Sequence, residues 1–263
     1  MPQLVGKTIV IVGGTAGLGL SASRACIHAG AKVVAIGRPD DAAKNAEKEL
    51  ADTGRVLTGD ATDPGLAEQA IELAMNEFGG FDGLYHVAGG SGRSQGDGPL
   101  HEVTDGGIEA TLSLNLKSLI YSNRAAVRAF IRAGRPGVVV NMASVLGSRP
   151  SPAFFATHVY AAAKAGIVGF TRSCAAYYAP QNIRFNVVSP GLVDTPMARR
   201  AAGDDTIQAF IKTKQPLDGG RIGRPGDLDA AVVYLLSDDS AFVTGQELAI
   251  DGGWGVSDGQ VPG

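Results

Sequence analysis

The run Thr8-Ile-Val-Ile-Val12 passes straight into Gly13-Gly-Thr-Ala-Gly17-Leu-Gly19, and this junction limits the possible folds more than any other segment. A short, unbroken stretch of β-branched residues suits a strand buried on both faces, as in parallel sheets covered by helices. Glycines at 13, 17 and 19, interleaved with Thr15, Ala16 and Leu18, permit a tight strand-to-helix turn. Such a turn leaves the first N–H groups of the helix open to a pyrophosphate. The same pattern can also serve strand-to-helix packing alone, so the rest of the chain must decide.

Downstream, strand and helix patterns alternate. A helix runs from Leu18 to Ala29 and stops at Gly30; strands at Lys32–Ile36, near Thr58, and at Gly83–Val87 enclose helices at Asp41–Ala51 and Pro64–Phe78. A long helix is expected over Ile108–Ala133, then strand Val138–Asn141, a second long helix Thr157–Tyr178, strand Ile183–Val188, a helix near Leu228–Leu236 and a last strand Glu247–Ile250. This alternation, without repeat or linker, predicts a single-domain, Rossmann-like, doubly wound parallel α/β sheet over residues 1–263, with helices on both faces. Residues 89–99 and 197–224 do not fit the alternation. Both follow the carboxyl end of a strand, where open α/β sheets bind ligands, and 197–224 is read as an irregular lid over the substrate.

With 44% hydrophobic and 19% charged residues, the chain belongs with compact globular proteins. A net charge of −3 and the lack of a basic run give no sign of a nucleic-acid partner. No apolar stretch reaches membrane-spanning length, and Met1 leads into the first strand without a charged and apolar leader, so the expected location is cytoplasmic. Cys26 and Cys174 lack metal-ligand spacing and read as small buried hydrophobes; no metal is expected.

About twenty residues beyond the glycine turn, an acidic residue would select NAD by binding the ribose 2′-hydroxyl. That place holds Gly37-Arg38. An arginine fork can pair with a 2′-phosphate, so NADP(H) is favoured; Arg38 could also stack on adenine or face solvent, and NAD(H) stays open. Asp40 and Asp41 are expected to cap the next helix.

Tyr160 and Lys164 lie four apart, on one face of a helix, where an ammonium can favour the ionised phenol. Together with the glycine turn, they make the chain resemble the short-chain dehydrogenase/reductase family over nearly its whole length. The family motif Thr-Gly-x-x-x-Gly-x-Gly matches Val12–Gly19, with valine in place of threonine. Asn-Asn-Ala-Gly corresponds to His86-Val87-Ala88-Gly89, without either asparagine. Asp60-Ala61 matches the adenine-contacting pair, and Pro190-Gly191 with Val193 and Thr195 matches the segment at the nicotinamide end. Asn115, Ser144, Tyr160 and Lys164 fall in the four catalytic places in the family's order.

The resemblance implies an NAD(P)(H)-dependent oxidoreductase that interconverts a small-molecule secondary alcohol and ketone. Tyr160 would be general acid or base, Ser144 would bind the substrate oxygen, Lys164 would hold the nicotinamide ribose and acidify Tyr160, and Asn115 would position a relay water. It also implies a homotetramer built on the two long helices and the region of Trp254. Two other readings are an extended-type nucleotide-sugar epimerase or dehydratase, and a catalytically silent dinucleotide-binding regulator. The segment between Ser144 and Tyr160 is longer than usual in the family, and Phe154 and Phe155 could meet substrate or fill local core. His158 reads as a bystander and Arg93 as a solvated loop residue, though Arg93 could bind a substrate carboxylate. Arg199, Arg200, Lys212 and Lys214 sit in the lid and select no substrate.

Overall fold

In a computed structural model that describes residues 3–261, seven parallel strands form one sheet in the order β3-β2-β1-β4-β5-β6-β7. The strands are β1 Thr8–Val12, β2 Lys32–Gly37, β3 Gly54–Thr58, β4 Gly83–His86, β5 Gly137–Met142, β6 Ile183–Pro190 and β7 Glu247–Ile250. All five residues of β1 are buried, as its unbroken apolar run requires. Helices α1 Gly17–His28, α2 Asp41–Leu50 and α3 Leu66–Phe78 connect the first four strands. Chain order reverses at β1, whose neighbours are β2 and β4, so a crevice opens beyond their carboxyl ends.

Two apolar layers sandwich the sheet. On one, Ile9, Ile11, Val33 and Val140 meet Ala22, Cys26, Val232 and Leu236; on the other, Val10, Val34 and Val139 meet Ala70, Ile71, Ala126 and Phe130. Each fully buried aliphatic side chain adds about 1.5–3 kcal/mol, which makes strand register hard to slip. Cys174 departs from expectation by being only partly buried, while Cys26 is fully enclosed.

The long helix after β4 begins earlier than the apolar pattern predicts, because Thr104 caps it by accepting the N–H of Gly107. It also changes winding: α4 Asp105–Leu112 gives way to a π turn at Ser113–Lys117 before α5 Ser118–Ala133. Periodicity cannot reveal this insertion, since one widened turn shifts the apolar phase only slightly. Helix α6 spans His158–Tyr178. Asn123 of α5 and Asn141 of β5 exchange two side-chain hydrogen bonds of 2.9 Å, and Asn141 also donates to Thr171 of α6 at 3.0 Å. This buried amide pair ties both long helices to the strand that leads into Ser144.

Residues 197–224 are not irregular. They contain α7 Arg199–Ala202 and α8 Asp205–Lys214, the latter capped by Asp204 on the amides of Thr206 and Ile207. Ile207, Phe210 and Ile211 bury themselves against Val145 and Trp254, so this segment is packed onto the crevice rim. The remaining helix, α9 Asp229–Leu236, covers the sheet's other face. Among the described residues, no helix is long and apolar enough to cross a membrane.

Candidate active site

The expected site residues lie along the carboxyl edge of β1 to β6, with Asn115, Tyr160 and Lys164 brought there by the π turn and α6. Helix α1 starts at Gly17 after Ala16, which offers no capping side chain, so its first N–H groups have no side-chain acceptor. A Cβ on Gly19 would stand 1.9 Å from the carbonyl oxygen of Gly13, so only glycine lets the turn close there. Gly17 faces Thr195 across a gap in which an added Cβ would lie 3.6 Å from Thr195 Cγ2. Thr15 is buried over Gly37 at the end of β2, just before exposed Arg38. Asp60 Oδ1 accepts the backbone N–H and hydroxyl of Thr62, each at 2.8 Å. Those bonds, with a smaller pull from the Arg38 charge, hold its carboxyl below the usual range. Asp40 caps α2 by accepting the N–H of Ala43, as expected, while Asp41 is its first helical residue.

The protein fits a dinucleotide. Glycine at 13 and 19 lets the turn close against Ala88 and on itself, and the uncapped helix N-terminus it leads into offers N–H groups to a pyrophosphate. Ala61 follows Asp60 after β3, and Ala88-Gly89 and Pro190-Gly191 stand at the carboxyl ends of β4 and β6.

At that end the catalytic candidates meet. Lys164 is 3% exposed, its Nζ donating to the carbonyl of Met142 at 3.1 Å and lying 5.5 Å from the ring centre of Tyr160. Ser144 caps a short turn after β5 by accepting the N–H of Leu146. A Cβ on Gly89 would fall 2.7 Å from Asn115 Oδ1 and 3.3 Å from Lys164 Nζ, which shows how tightly β4, the π turn and α6 close together.

Burial pushes the Tyr160 phenol above its ordinary value, opposed by its hydrogen bond with Ser144. Burial also pulls Lys164 down to about 8, so its ammonium is itself under strain.

Asn115 lies buried in the π turn, where its Oδ1 accepts the N–H of Gly90 and its two amide protons go to the carbonyls of Gly90 and Thr111, so its carboxamide clamps the β4 loop. The missing asparagines of the β4 end are replaced by His86, whose ring lies between Ser122 Oγ at 2.8 Å and Ser118 Oγ at 3.4 Å. Burial and the Lys164 charge pull His86 down to about 3, so it stays neutral.

One residue was not foreseen. Asp97 is 4% exposed and accepts the N–H groups of Val159 at 3.1 Å and Tyr160 at 2.8 Å. It supplies the cap that Thr157 does not, and so fixes the start of the helix that carries Tyr160. A helix N-terminus without a local acceptor was the only signal in the sequence, and it could not name a partner 63 residues away. Phe154 and Phe155 serve local packing, on Phe210 at 5.2 Å and Trp254 at 5.6 Å. His158 is exposed at the first position of α6, and Arg93 is exposed in the β4 loop.

The family described as enoyl-(acyl carrier protein) reductase matches residues 13–255. The chain is similar to 2-(S)-hydroxypropyl-CoM dehydrogenase 3 of Xanthobacter autotrophicus, 35% identical over 95% of this chain and 97% of that one. It resembles the 3-oxoacyl-[acyl-carrier-protein] reductase FabG of Salmonella typhimurium, at 32% identity over 94% and 97% of the two chains. Among solved structures, a short-chain type dehydrogenase/reductase from Mycobacterium marinum superposes with a TM-score of 0.87 at 29% identity, covering 97% of this chain and 98% of the other.

Proposed function

The chain belongs to the short-chain dehydrogenase/reductase family, whose members are NAD(P)(H)-dependent oxidoreductases of alcohols and ketones, and from that premise we propose how its own residues divide the work. The observation that supports the assignment is the meeting of Tyr160, Ser144 and Lys164 beside Gly89 at the end of β4. Sequence and size do not favour an epimerase, a dehydratase or a silent regulator, because the match runs the full length of alcohol and ketone oxidoreductases.

Tyr160 is the proton donor when a ketone is reduced and the acceptor when an alcohol is oxidised. Burial raises its pKa, which keeps the phenol protonated at neutral pH, ready to donate. Ser144 hydrogen-bonds the substrate oxygen and stabilises the charge that gathers there. Lys164 holds the nicotinamide ribose, and Asn115 keeps Gly90 and the neighbouring loop in place and positions a relay water. The bound coenzyme supplies or accepts the hydride. Gly13, Thr15, Ala16, Gly17, Leu18 and Gly19 hold its pyrophosphate, Arg38, Asp60 and Ala61 its adenosine end, and Ala88, Gly89, Pro190, Gly191, Val193 and Thr195 its nicotinamide end. Residues 197–224 form the substrate cover.

NADP(H) is the preferred coenzyme, because Arg38 stands exposed at the end of β2 with no carboxylate bound to it among the described residues. Arg38→Asp is expected to shift the ratio of kcat/KM for NADP(H) over NAD(H) by about tenfold or more toward NAD(H), the effect of losing one charge-assisted contact. A wild-type preference for NAD(H) would overturn this choice.

The enzyme assembles as a homotetramer. Phe242, Leu248 and Val256 stand uncovered near the C-terminal edge, an arrangement that suits a partner copy. Light scattering should give about four times the 26.9 kDa subunit mass, and a monomer would refute the assembly.

A further inference from the structure

The first turn of α6 has no acceptor of its own: Thr157 offers no capping side chain, so the amides of His158, Val159 and Tyr160 are satisfied from outside the helix. All three go to two adjacent residues of the loop after β4. The carbonyl of Gly98 accepts the N–H of His158 at 3.4 Å, and the two carboxylate oxygens of Asp97 divide the others, Oδ1 taking Val159 at 3.1 Å and Oδ2 taking Tyr160 at 2.8 Å. Asparagine, of the same size, brings one such oxygen and sets its own N–H group against the second amide. Asp97 is 4% exposed, so water competes little for these bonds.

The loop that carries Asp97 is itself fixed. Asp97 donates its own N–H to the carbonyl of Gly92 at 3.1 Å, and Thr104, the cap of α4, donates its N–H to the carbonyl of Gly96 at 3.1 Å. A Cβ on Gly92 would stand 2.0 Å from Thr111 Oγ1 of α4. Upstream, Gly90 exchanges two hydrogen bonds with the Asn115 carboxamide, and a Cβ on Gly89 would lie 3.3 Å from Lys164 Nζ. One stretch of chain thus borders Lys164, is clamped by Asn115 and ends on the backbone of Tyr160.

We propose that Asp97 is a positioning residue for proton transfer: its forked grip on the amides of Val159 and Tyr160 sets where the Tyr160 hydroxyl stands relative to Ser144 and the substrate oxygen. The inference rests on the reading of Tyr160 as proton donor and acceptor. Tyr160 lies in the first turn of α6, where a helix frays most easily, and a reacting group displaced by about 1 Å loses about 10²-fold in rate.

The test uses Asp97→Asn, which keeps the size and one acceptor, beside Asp97→Ala, which keeps neither. With saturating coenzyme and a ketone that the wild type reduces, kcat should fall about tenfold in Asp97→Asn and about 10²-fold in Asp97→Ala, while coenzyme affinity changes less than about threefold. If Asp97 acts through the Tyr160 hydroxyl, its replacement costs nothing further once that hydroxyl is gone, so Tyr160→Phe with Asp97→Asn keeps the residual rate of Tyr160→Phe alone. An equal loss in both backgrounds, or an undiminished kcat with only a lower unfolding midpoint, reduces Asp97 to a helix cap and overturns the proposal. Tyrosine carrying a heavy carbon isotope at Cζ gives a reading that needs no turnover: the Tyr160 resonance, identified by its absence in Tyr160→Phe, should move in Asp97→Asn. A moved resonance supports the positioning role and an unmoved one refutes it, whereas a wild type that turns over no ketone or alcohol refutes the reductase reading instead.

Discussion

Tyr160→Phe lowers turnover by about 10² to 10⁴-fold or more while coenzyme still binds, because it removes one oxygen and nothing else from the site. The ring of Tyr160 keeps its place near Lys164 Nζ, and the backbone of residue 160 keeps its bond to Asp97, so the variant folds as the wild type does. Lost activity therefore reports the proton, not the structure. The pH dependence sharpens the test. Burial holds the phenol protonated at neutral pH, the form that donates during reduction, whereas oxidation needs the deprotonated form. Wild-type oxidation should rise with pH, and the variant's residual rate should lose that rise. Steady-state kinetics in both directions, with coenzyme affinity followed by fluorescence, make the measurement; substantial activity in Tyr160→Phe would remove the residue from its role.

Much of this arrangement was legible in the chain, and the exceptions have physical causes. β1 and its glycine turn were readable because a doubly buried strand has no polar phase to confuse, and because glycine at 13, 17 and 19 answers local steric demands. Tyr160 and Lys164 were readable because four residues on a helix always share a face. What spacing could not show was environment. Burial raises Tyr160 and lowers Lys164, and that burial is decided by β5 and the β4 loop rather than by the helix itself. The π turn around Asn115 and the cap from Asp97 escaped for a related reason: each is satisfied by a partner distant in the chain, Gly90 in one case and the α6 amides in the other. Helix α8 is hard to read from the chain because its short apolar stripe of Ile207, Phe210 and Ile211 lies among charged and small residues, and Trp254 and Val145 give that stripe something to cover.

Lys164→Met is expected to lower turnover about 10²-fold or more and, at the same time, to make the coenzyme-free protein more stable at pH 7. The lysine is 3% exposed, and its one hydrogen bond, to Met142, compensates little of the cost of burying a cation. A fall from 10.5 to about 8 corresponds to about 3 kcal/mol of native-state penalty for the charged form. Methionine has a similar reach and no charge; leaving the Met142 carbonyl without its partner takes back about 1 kcal/mol, so the net gain at pH 7 is about 2 kcal/mol. The sign of the pH effect follows. Between about pH 8 and 10.5 the unfolded lysine holds its proton while the folded one releases it, so wild-type stability rises with pH in that window. The variant's advantage should therefore be full below pH 8 and shrink toward pH 10. Denaturant unfolding of both proteins at pH 7 and pH 10 measures it. Equal midpoints at pH 7 would mean that the amine is not strained in the empty site, and the strain that a coenzyme's ribose hydroxyls are expected to relieve would have no basis.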